Sequence, residues 1–393
     1  MYTLTLKKGE EKRIKNFHPW VYANEVAKIE GKDAQGSVAK VVAFDGRFLG
    51  YGFINHASKI IVRMVTWDET PVDEDLFLNR IKNAKSLRER LGLSDNYRAV
   101  FAESDLLPGL IVDKYGDVLS VQFLTLGMEV RKEMLTKILV KVFSPVCVYE
   151  RSDVSVRKKE GLPEVKGVLY GRLPDELIIE ENGVKMYIDV ENGQKTGYFL
   201  DQKENRDDLK RYVKDRTVLD CFCNQGGFSL CAAKYGAKEI VAADVSALAL
   251  EHVRKNAALN GFSNITTVEA DVFTLLRDYK KEKRTFDVIV LDPPAFAKTA
   301  DAVKAGYKGY LDVNCLALKL LNEGGILVTC SCSQHMTPTL FTRMLTEASA
   351  YTGIPVRLLE FRHQSPDHAT MLGSDEGTYL KVAVLYRQPR DRK

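Results

Sequence analysis

From Thr217 onward the chain alternates strand-like and helix-like segments with little slack, and that rhythm leaves few folds open. "TVLDC" precedes "GGFSLCAAKYG", and "EIVAADV" precedes "SALALEHVRKNAALNG", whose Ser246 and Gly261 read as helix start and stop. "ITTVEAD", "VFTLLRDYKKEK", "FDVIVLD", "GYLDVNCLALKLLNEGG" and "ILVTCS" continue the pattern. Such alternation argues an α/β fold with a doubly wound, mostly parallel sheet. Ligands of such sheets bind beyond the carboxyl ends of the strands. Here four successive strands run out at Asp220, Asp244, Asp271 and Asp292, and a fifth at the thiols of Cys330 and Cys332. Four carboxylates and two thiols are therefore expected along one edge.

The upstream grammar differs. Residues 2–67 hold short β-like runs, "YTLTL", "SVAKVVAF", "GRFLGYGFI" and "KIIVRMV", with a hairpin signal at "AFDGRF" and no long helical period. They predict a small all-β barrel or sandwich. A helix is predicted over residues 73–92, followed by strand-like "RAVFAE", "GLIVDKYGDVLSVQF" and "VCVYER" around helix-like "MEVRKEMLTKILVKVF". "ELIIEENGVKMYIDV" reads as a further hairpin. A chain of 393 residues accommodates two or three domains. The divisions expected are residues 1–70 (β domain), 71–185 (central α+β domain) and 186–393 (α/β domain).

Composition removes several classes. Seven cysteines without a CxxC pair, and six histidines without an HxxxH, give no support for a metal site. Free thiols, an N-terminus without an apolar leader and the lack of any run of about 18 apolar residues predict a cytoplasmic protein with no membrane span. Net charge is +4, yet residues 1–67 hold eight Lys and three Arg against six acidic residues. The excess is concentrated in the β region. Charge alone fits a solvated surface; the sharper alternative is a patch for a phosphate backbone.

The strand-end acids carry more information. The first loop, "CFCNQGGFS", contains Gly226-Gly227 and not GxGxxG, which argues against a nicotinamide dinucleotide. Asp244 sits where an acid can accept both ribose hydroxyls of an adenosine moiety, and Asp271 where one can meet the adenine amino group. Each acid alone is as well explained by a helix cap; together with Asp220 they favour a nucleoside cofactor. In "LDPPAF" the two prolines remove backbone donors and stiffen the turn, so that Asp292 and neighbouring carbonyls face a planar base on which Phe296 stacks.

"VLDCFCNQGGFSL", "AADVS", "EADVF", "FDVIVLDPPAFAK" and "TCSCS" resemble the class I S-adenosylmethionine-dependent methyltransferases. Their order resembles that of the bacterial 23S ribosomal RNA 5-methylcytosine methyltransferases that carry an N-terminal PUA domain. "HPWVYANEV" and "GRFLGYGFINHASKIIVRMV" resemble the PUA module, and "NGQKTGYFLDQKENR" resembles the stretch before the first methyltransferase strand. The resemblance implies a PUA-like domain, a linking domain and a Rossmann-like methyltransferase domain that binds S-adenosylmethionine. It adds Thr196, Tyr198, Phe222, Phe228, Asp292 and Pro293 to Asp220, Gly226, Asp244 and Asp271 as cofactor residues. It implies ribosomal RNA as partner, 23S in particular, with Lys7, Lys8, Lys12, Arg13, Lys15 and Phe296 as RNA contacts. A homodimer is left open.

The resemblance also gives the thiol pair a purpose. Cytosine C5 is a poor nucleophile until a thiolate adds to C6 and makes C5 enamine-like. The family's reactive cysteine is the one in "SCS", which is Cys332 here; Cys330 is the weaker candidate. Asp292 is expected to grip the cytosine edge and favour protonated N3. Cys231 and Cys315 read as core fillers. The chain departs from some relatives in having "DPPAF" with no cysteine after the proline, which leaves open the base that takes the C5 proton. Two rivals remain at this stage: methylation of an exocyclic base nitrogen, served by [DN]PP[FY] without a thiol, and a catalytically inactive RNA-binding protein of the same fold.

Overall fold

The computed structural model describes residues 1–297, 299–374 and 377–389. The chain forms two compact units. The first comprises Met1–Ile179, Ile188–Leu200 and Pro366–Gly377; the second comprises Glu180–Tyr187, Asp201–Ser365 and Thr378–Lys393. The expected three-part division is thus regrouped. The β domain and the central domain as far as Ile179 belong to one unit, which also takes two segments of the predicted third domain.

In the first unit, six strands form one sheet in the order Trp20–Tyr22, Ile60–Thr66, Phe48–Ile54, Val38–Val42, Tyr2–Leu6, Val26–Glu30. Hydrogen bonding runs through these strands without closing into a ring. A short helix, Glu11–Lys15, falls where only strands and turns were expected. A second sheet of five strands, from Val165–Gly171 at one edge to Asn96–Phe101 at the other, carries helices Glu74–Arg90 and Lys132–Phe143. Phe77, Ile81, Leu135 and Leu139 of those helices share one core with Val112, Val121 and Val148 of the strands. The helix predicted over 73–92 forms because Asp73 caps it, its carboxylate accepting from Leu76 N at 3.0 Å.

The second unit follows the alternation closely. Its large sheet is built from β1 (Thr217–Cys221), β2 (Glu239–Asp244), β3 (Ile265–Glu269), β4 (Phe286–Leu291), β5 (Leu321–Ser331), β6 (Val356–Arg362) and β7 (Lys381–Arg387). Helices α1 (Gly227–Lys234), α2 (Ala247–Leu259), α3 (Val272–Lys281), α4 (Val303–Leu320) and α5 (Pro338–Thr352) connect them. Strand order is β3-β2-β1-β4-β5-β7-β6, with β7 antiparallel to both neighbours and the rest parallel. Order reverses between β1 and β4, which opens a crevice at their carboxyl ends.

Both faces of this sheet are covered, so its strands are apolar on both sides. Leu219, Cys221, Val241, Ile289 and Leu327 pack with Leu276, Tyr310 and Phe341 of α3, α4 and α5. The alternate residues Val218, Ile240, Val288, Val290, Val328 and Cys330 pack with Phe228 and Ala232 of α1 and with Val382 of β7. Period-two alternation therefore puts Asp220, Cys330 and Cys332 toward the α1 and β7 side. Among the described residues no helix is long and apolar enough to cross a membrane, and no three His, Cys, Asp or Glu side chains group as a metal site requires.

Candidate active site

The loop after β1 is held in an unfavourable backbone form. Phe222 (φ 61°), Asn224 (φ 49°) and Gly226 (φ 85°) all adopt left-handed conformations. For the two non-glycine residues this costs on the order of 1–2 kcal/mol each. A Cβ at Gly226 would lie 3.1 Å from Val253 of α2, so a side chain there meets both strain and crowding. Asp244 holds the loop: one carboxylate oxygen accepts from Asn224 N and the other from Ser246 N, each at 3.0 Å. A carboxylate has about four acceptor positions, so two remain for ribose hydroxyls.

Asp220 lies deeper. It is 1% exposed, and its Oδ2 accepts from Ser229 N at 3.0 Å and Ser229 Oγ at 2.6 Å. Its Oδ1 has no hydrogen-bond partner. Burial is the main reason its pKa is pushed up to about 7, with the Asp292 and Asp244 carboxylates adding to the rise. An orphaned buried acceptor, beside a glycine turn that a Cβ would fill, is what a nucleoside cofactor needs to be gripped. The residues present fit S-adenosylmethionine.

Other expected cofactor residues have different surroundings. Asp271 is an exposed cap of α3, its Oδ1 accepting from Thr274 N and Oγ1 at 2.9 and 3.0 Å. Phe228 is 5% exposed and packs in the core between α1 and the sheet. Thr196 and Tyr198 belong to the first unit. There Thr196 Oγ1 donates to Asp113, and Tyr198 N donates to Tyr115 Oη at 3.1 Å. Gln202, absent from the sequence reading, is 2% exposed and its side chain reaches the Cys330 thiol.

Beyond β4 and β5 two loops are latched together. Ser333 Oγ accepts from Ala297 N at 3.1 Å and lies 2.9 Å from Tyr310 Oη of α4. The segments "DPPAF" and "SCS" are thereby fixed to each other. The Cys332 thiol points to Pro293 O at 3.9 Å and is partly exposed. Cys330 is 0% exposed, and burial raises its thiol pKa well above the ordinary value, with Asp292 adding to the effect. Cys221 and Cys223 are raised for the same reason. Phe296 does not stand free. Its ring centroid lies 4.7 Å from Tyr310, 6.0 Å from Phe273 and 6.4 Å from Phe222, and Gly309 of α4 makes room for it. Those contacts anchor the loop.

In the first unit, Lys7, Lys8, Lys12 and Lys15 are exposed. Arg13 is engaged instead, with Glu25 at 2.6 Å and the His18 ring at 2.6 Å. Tyr310 had no motif to announce it, and Ser333 ended the "TCSCS" stretch without a role assigned to it.

A mostly parallel sheet with this strand order, with acids beyond its strand ends, defines a ligand-binding α/β protein. Residues 165–379 match the family model of S-adenosylmethionine-dependent methyltransferases, and residues 4–67 match that of a PUA-like domain. The chain is 47% identical over 389 residues to "Ribosomal RNA large subunit methyltransferase I" of Shewanella amazonensis, covering 97% of this chain and 98% of that one. The Vibrio cholerae protein of the same name is 43% identical over 385 residues, covering 96% and 97%. A solved structure from Streptococcus mutans superposes with a TM-score of 0.84 at 21% identity, covering 98% of this chain and all of that one. A second solved structure, in complex with SAH, gives 0.86 at 22%, with the same coverage. This chain belongs to the S-adenosylmethionine-dependent methyltransferase family, and S-adenosylmethionine is its cofactor.

Proposed function

We propose that the chain methylates C5 of a cytosine in large-subunit ribosomal RNA, 23S in bacteria, with Cys332 as nucleophile. The observation that carries this reading is the contrast between the two thiols at the end of β5. Cys332 is partly exposed beside Pro293 O, whereas Cys330 is sealed and its thiol is held protonated. A site built for an exocyclic amine has no use for such a thiol. The names of the relatives support ribosomal RNA as substrate.

The bound cofactor supplies an electrophilic methyl group. Cys332 Sγ adds to C6 of the base, Asp292 favours the protonated N3 that makes C6 electrophilic, and C5 becomes the nucleophile. Loss of the C5 proton then expels the Cys332 thiolate and restores the ring. Asp220, Gly226 and Asp244 orient the nucleoside end of the cofactor, and Asp271 and Pro293 border it. The target base must be unpaired or flipped out to reach Cys332. Lys7, Lys8, Lys12 and Lys15 serve the RNA backbone.

Incubation with RNA carrying 5-fluorocytosine tests the chemistry, because fluorine does not leave as a proton does. A covalent adduct is expected with the wild type and with Cys330→Ser, and none with Cys332→Ser. Methyl transfer that survives in Cys332→Ala would sink the carbon mechanism and favour an exocyclic amine. An adduct that depends on Cys330 would move the nucleophile by two residues along β5.

A further inference from the structure

In the first unit, the strands Val38–Val42 and Phe48–Ile54 pair antiparallel as a hairpin. Its turn is closed by Gly46 N, which donates to Ala43 O at 2.9 Å, and Gly46 sits at φ 83°, where a glycine belongs. Nothing in that turn calls for an aromatic at Phe44, because small and polar residues serve such positions. The core beneath takes Ala39, Val41, Ala43 and Leu49 and leaves Phe44 out, 43% exposed.

The outer face of the same hairpin continues the pattern. Ala39 and Val41 are buried, so alternation turns Lys40 outward, and the register sets it opposite Tyr51. Lys40 Nζ lies 5.7 Å from the Phe48 ring centroid, and the Phe48 and Tyr51 centroids are 5.0 Å apart, edge to face. Lys8 Nζ lies 5.7 Å from the Phe44 ring. Arg47 of the same hairpin is matched by Asp45 at 2.7 Å, whereas among the described residues no carboxylate pairs with Lys8 or Lys40. Two unmatched ammonium groups interleaved with three rings fit one kind of partner. An unpaired nucleic-acid strand brings a phosphate to each ammonium and a π face to each ring, and a duplex hides those faces. An apolar protein partner would bury both ammonium groups without a counter-charge.

We propose that Lys40, Phe44, Phe48 and Tyr51, together with Lys8, form a stacking platform for an unpaired stretch of the RNA substrate. The proposal rests on RNA as the substrate in the reading above, and on no step of its chemistry. Phe44 takes a base on the ring face that Lys8 leaves open, and the Phe48–Tyr51 pair takes a second. Lys8 and Lys40 meet the phosphates. The first unit thereby selects RNA with an unpaired segment over a fully paired stem, without reading its sequence.

The test is fluorescence anisotropy of the full-length protein with a labelled single-stranded RNA of mixed sequence, and with the same strand annealed to its complement. The wild type is expected to bind the single strand more tightly. Phe44→Ala should weaken single-strand binding about tenfold, leave duplex binding within about twofold and keep the salt slope. Lys8→Gln with Lys40→Gln should instead flatten the slope, by about 0.7 for each phosphate no longer neutralised. Phe44→Trp, whose indole stacks as well, should keep the affinity, with its fluorescence quenched by the single strand and not by the duplex. Calorimetric S-adenosylmethionine binding reports that each variant is folded. Equal losses on single strand and duplex, or none on either, overturn the proposal. A Phe44→Ala protein that binds RNA as the wild type does but sediments differently assigns the face to a second copy of the chain, and overturns it too. A wild type that binds neither RNA sinks the RNA reading along with this site, whereas RNA binding indifferent to Phe44 sinks this site alone.

Discussion

Buried charge is treated in opposite ways in the first unit and at the strand ends of the second. Arg88 in the first unit is 0% exposed and fully matched, with two bonds to Asp105 at 2.5 and 2.8 Å and one to Asp367 O at 2.7 Å. Arg98 and Asp113 form a second two-pronged pair, both bonds at 2.8 Å, and Arg63 bridges Glu103 and Glu160 at 3.0 Å. At the strand ends of the second unit, Asp220 keeps an unpartnered oxygen and Lys381 donates to two backbone carbonyls. The difference teaches how to read a buried charge. A paired one fixes neighbouring segments in place; an unpaired one lowers stability and is kept for a ligand or a reacting group.

The strongest way to break this comparison is to unmatch a pair. Arg88→Leu leaves Asp105 and the Asp367 carbonyl buried without their donor, and should cost about 3–5 kcal/mol in denaturant unfolding. A change below about 1 kcal/mol would show that the pairing is incidental.

Asp292→Asn addresses the other side. It should lower the methylation rate by about 10²–10⁴-fold while thermal unfolding moves little, because a catalytic acid is not held there for stability. A loss of stability as large as that of Arg88→Leu would erase the distinction.

An effect of opposite sign is expected from Asp220→Asn, and that sign follows from the raised pKa. Between about pH 4 and 7 the folded protein keeps a proton that the unfolded chain has released. Wild-type stability is therefore undiminished below pH 4, falls as pH rises toward 7, and is level above it. The neutral variant lacks this decline. It should gain about 4 kcal/mol over the wild type at pH 8 and almost nothing at pH 4, while binding S-adenosylmethionine more weakly. Parallel pH–stability curves for the two proteins would show that Asp220 is not a buried charge at neutral pH.

The smallest effect concerns exposed charge. Lys12→Ala with Lys15→Ala should leave unfolding within about 0.5 kcal/mol and flatten the salt dependence of RNA binding, by about one unit of slope for each phosphate no longer neutralised. An unchanged slope would place the RNA elsewhere on the first unit.

Much of the second unit was legible in the residues. The period of its apolar positions located β1 to β5 and α1 to α4, and Ser246 marked the start of α2 through its bond to Ala249 N at 3.2 Å. The edge Asp220, Asp244, Asp292 and Cys332 followed from strand ends alone. α5, β6 and β7 went unread, because they follow the part of the chain in which strand and helix alternate strictly, and β7 returns antiparallel. In the first unit, strand Val165–Gly171 and helix Glu11–Lys15 carried no periodic signal strong enough to show.

What the sequence by itself determined was the alternation, the glycine turn after β1 and the chemistry available at each strand end. Periodicity and turn residues act over a few positions, so a linear reading captures them. What only the tertiary structure decided was burial and partnership. It made Cys330 a sealed thiol and left Cys332 open. It turned Asp271 into a helix cap, folded Phe228 and Phe296 into packing, and spent Arg13 on Glu25. It left Asp220 Oδ1 without a donor and bonded Lys381 to Ser333 O from 48 residues further on. Desolvation and ion pairing are set by whatever atoms lie within a few ångströms, and those atoms come from segments far apart in the chain.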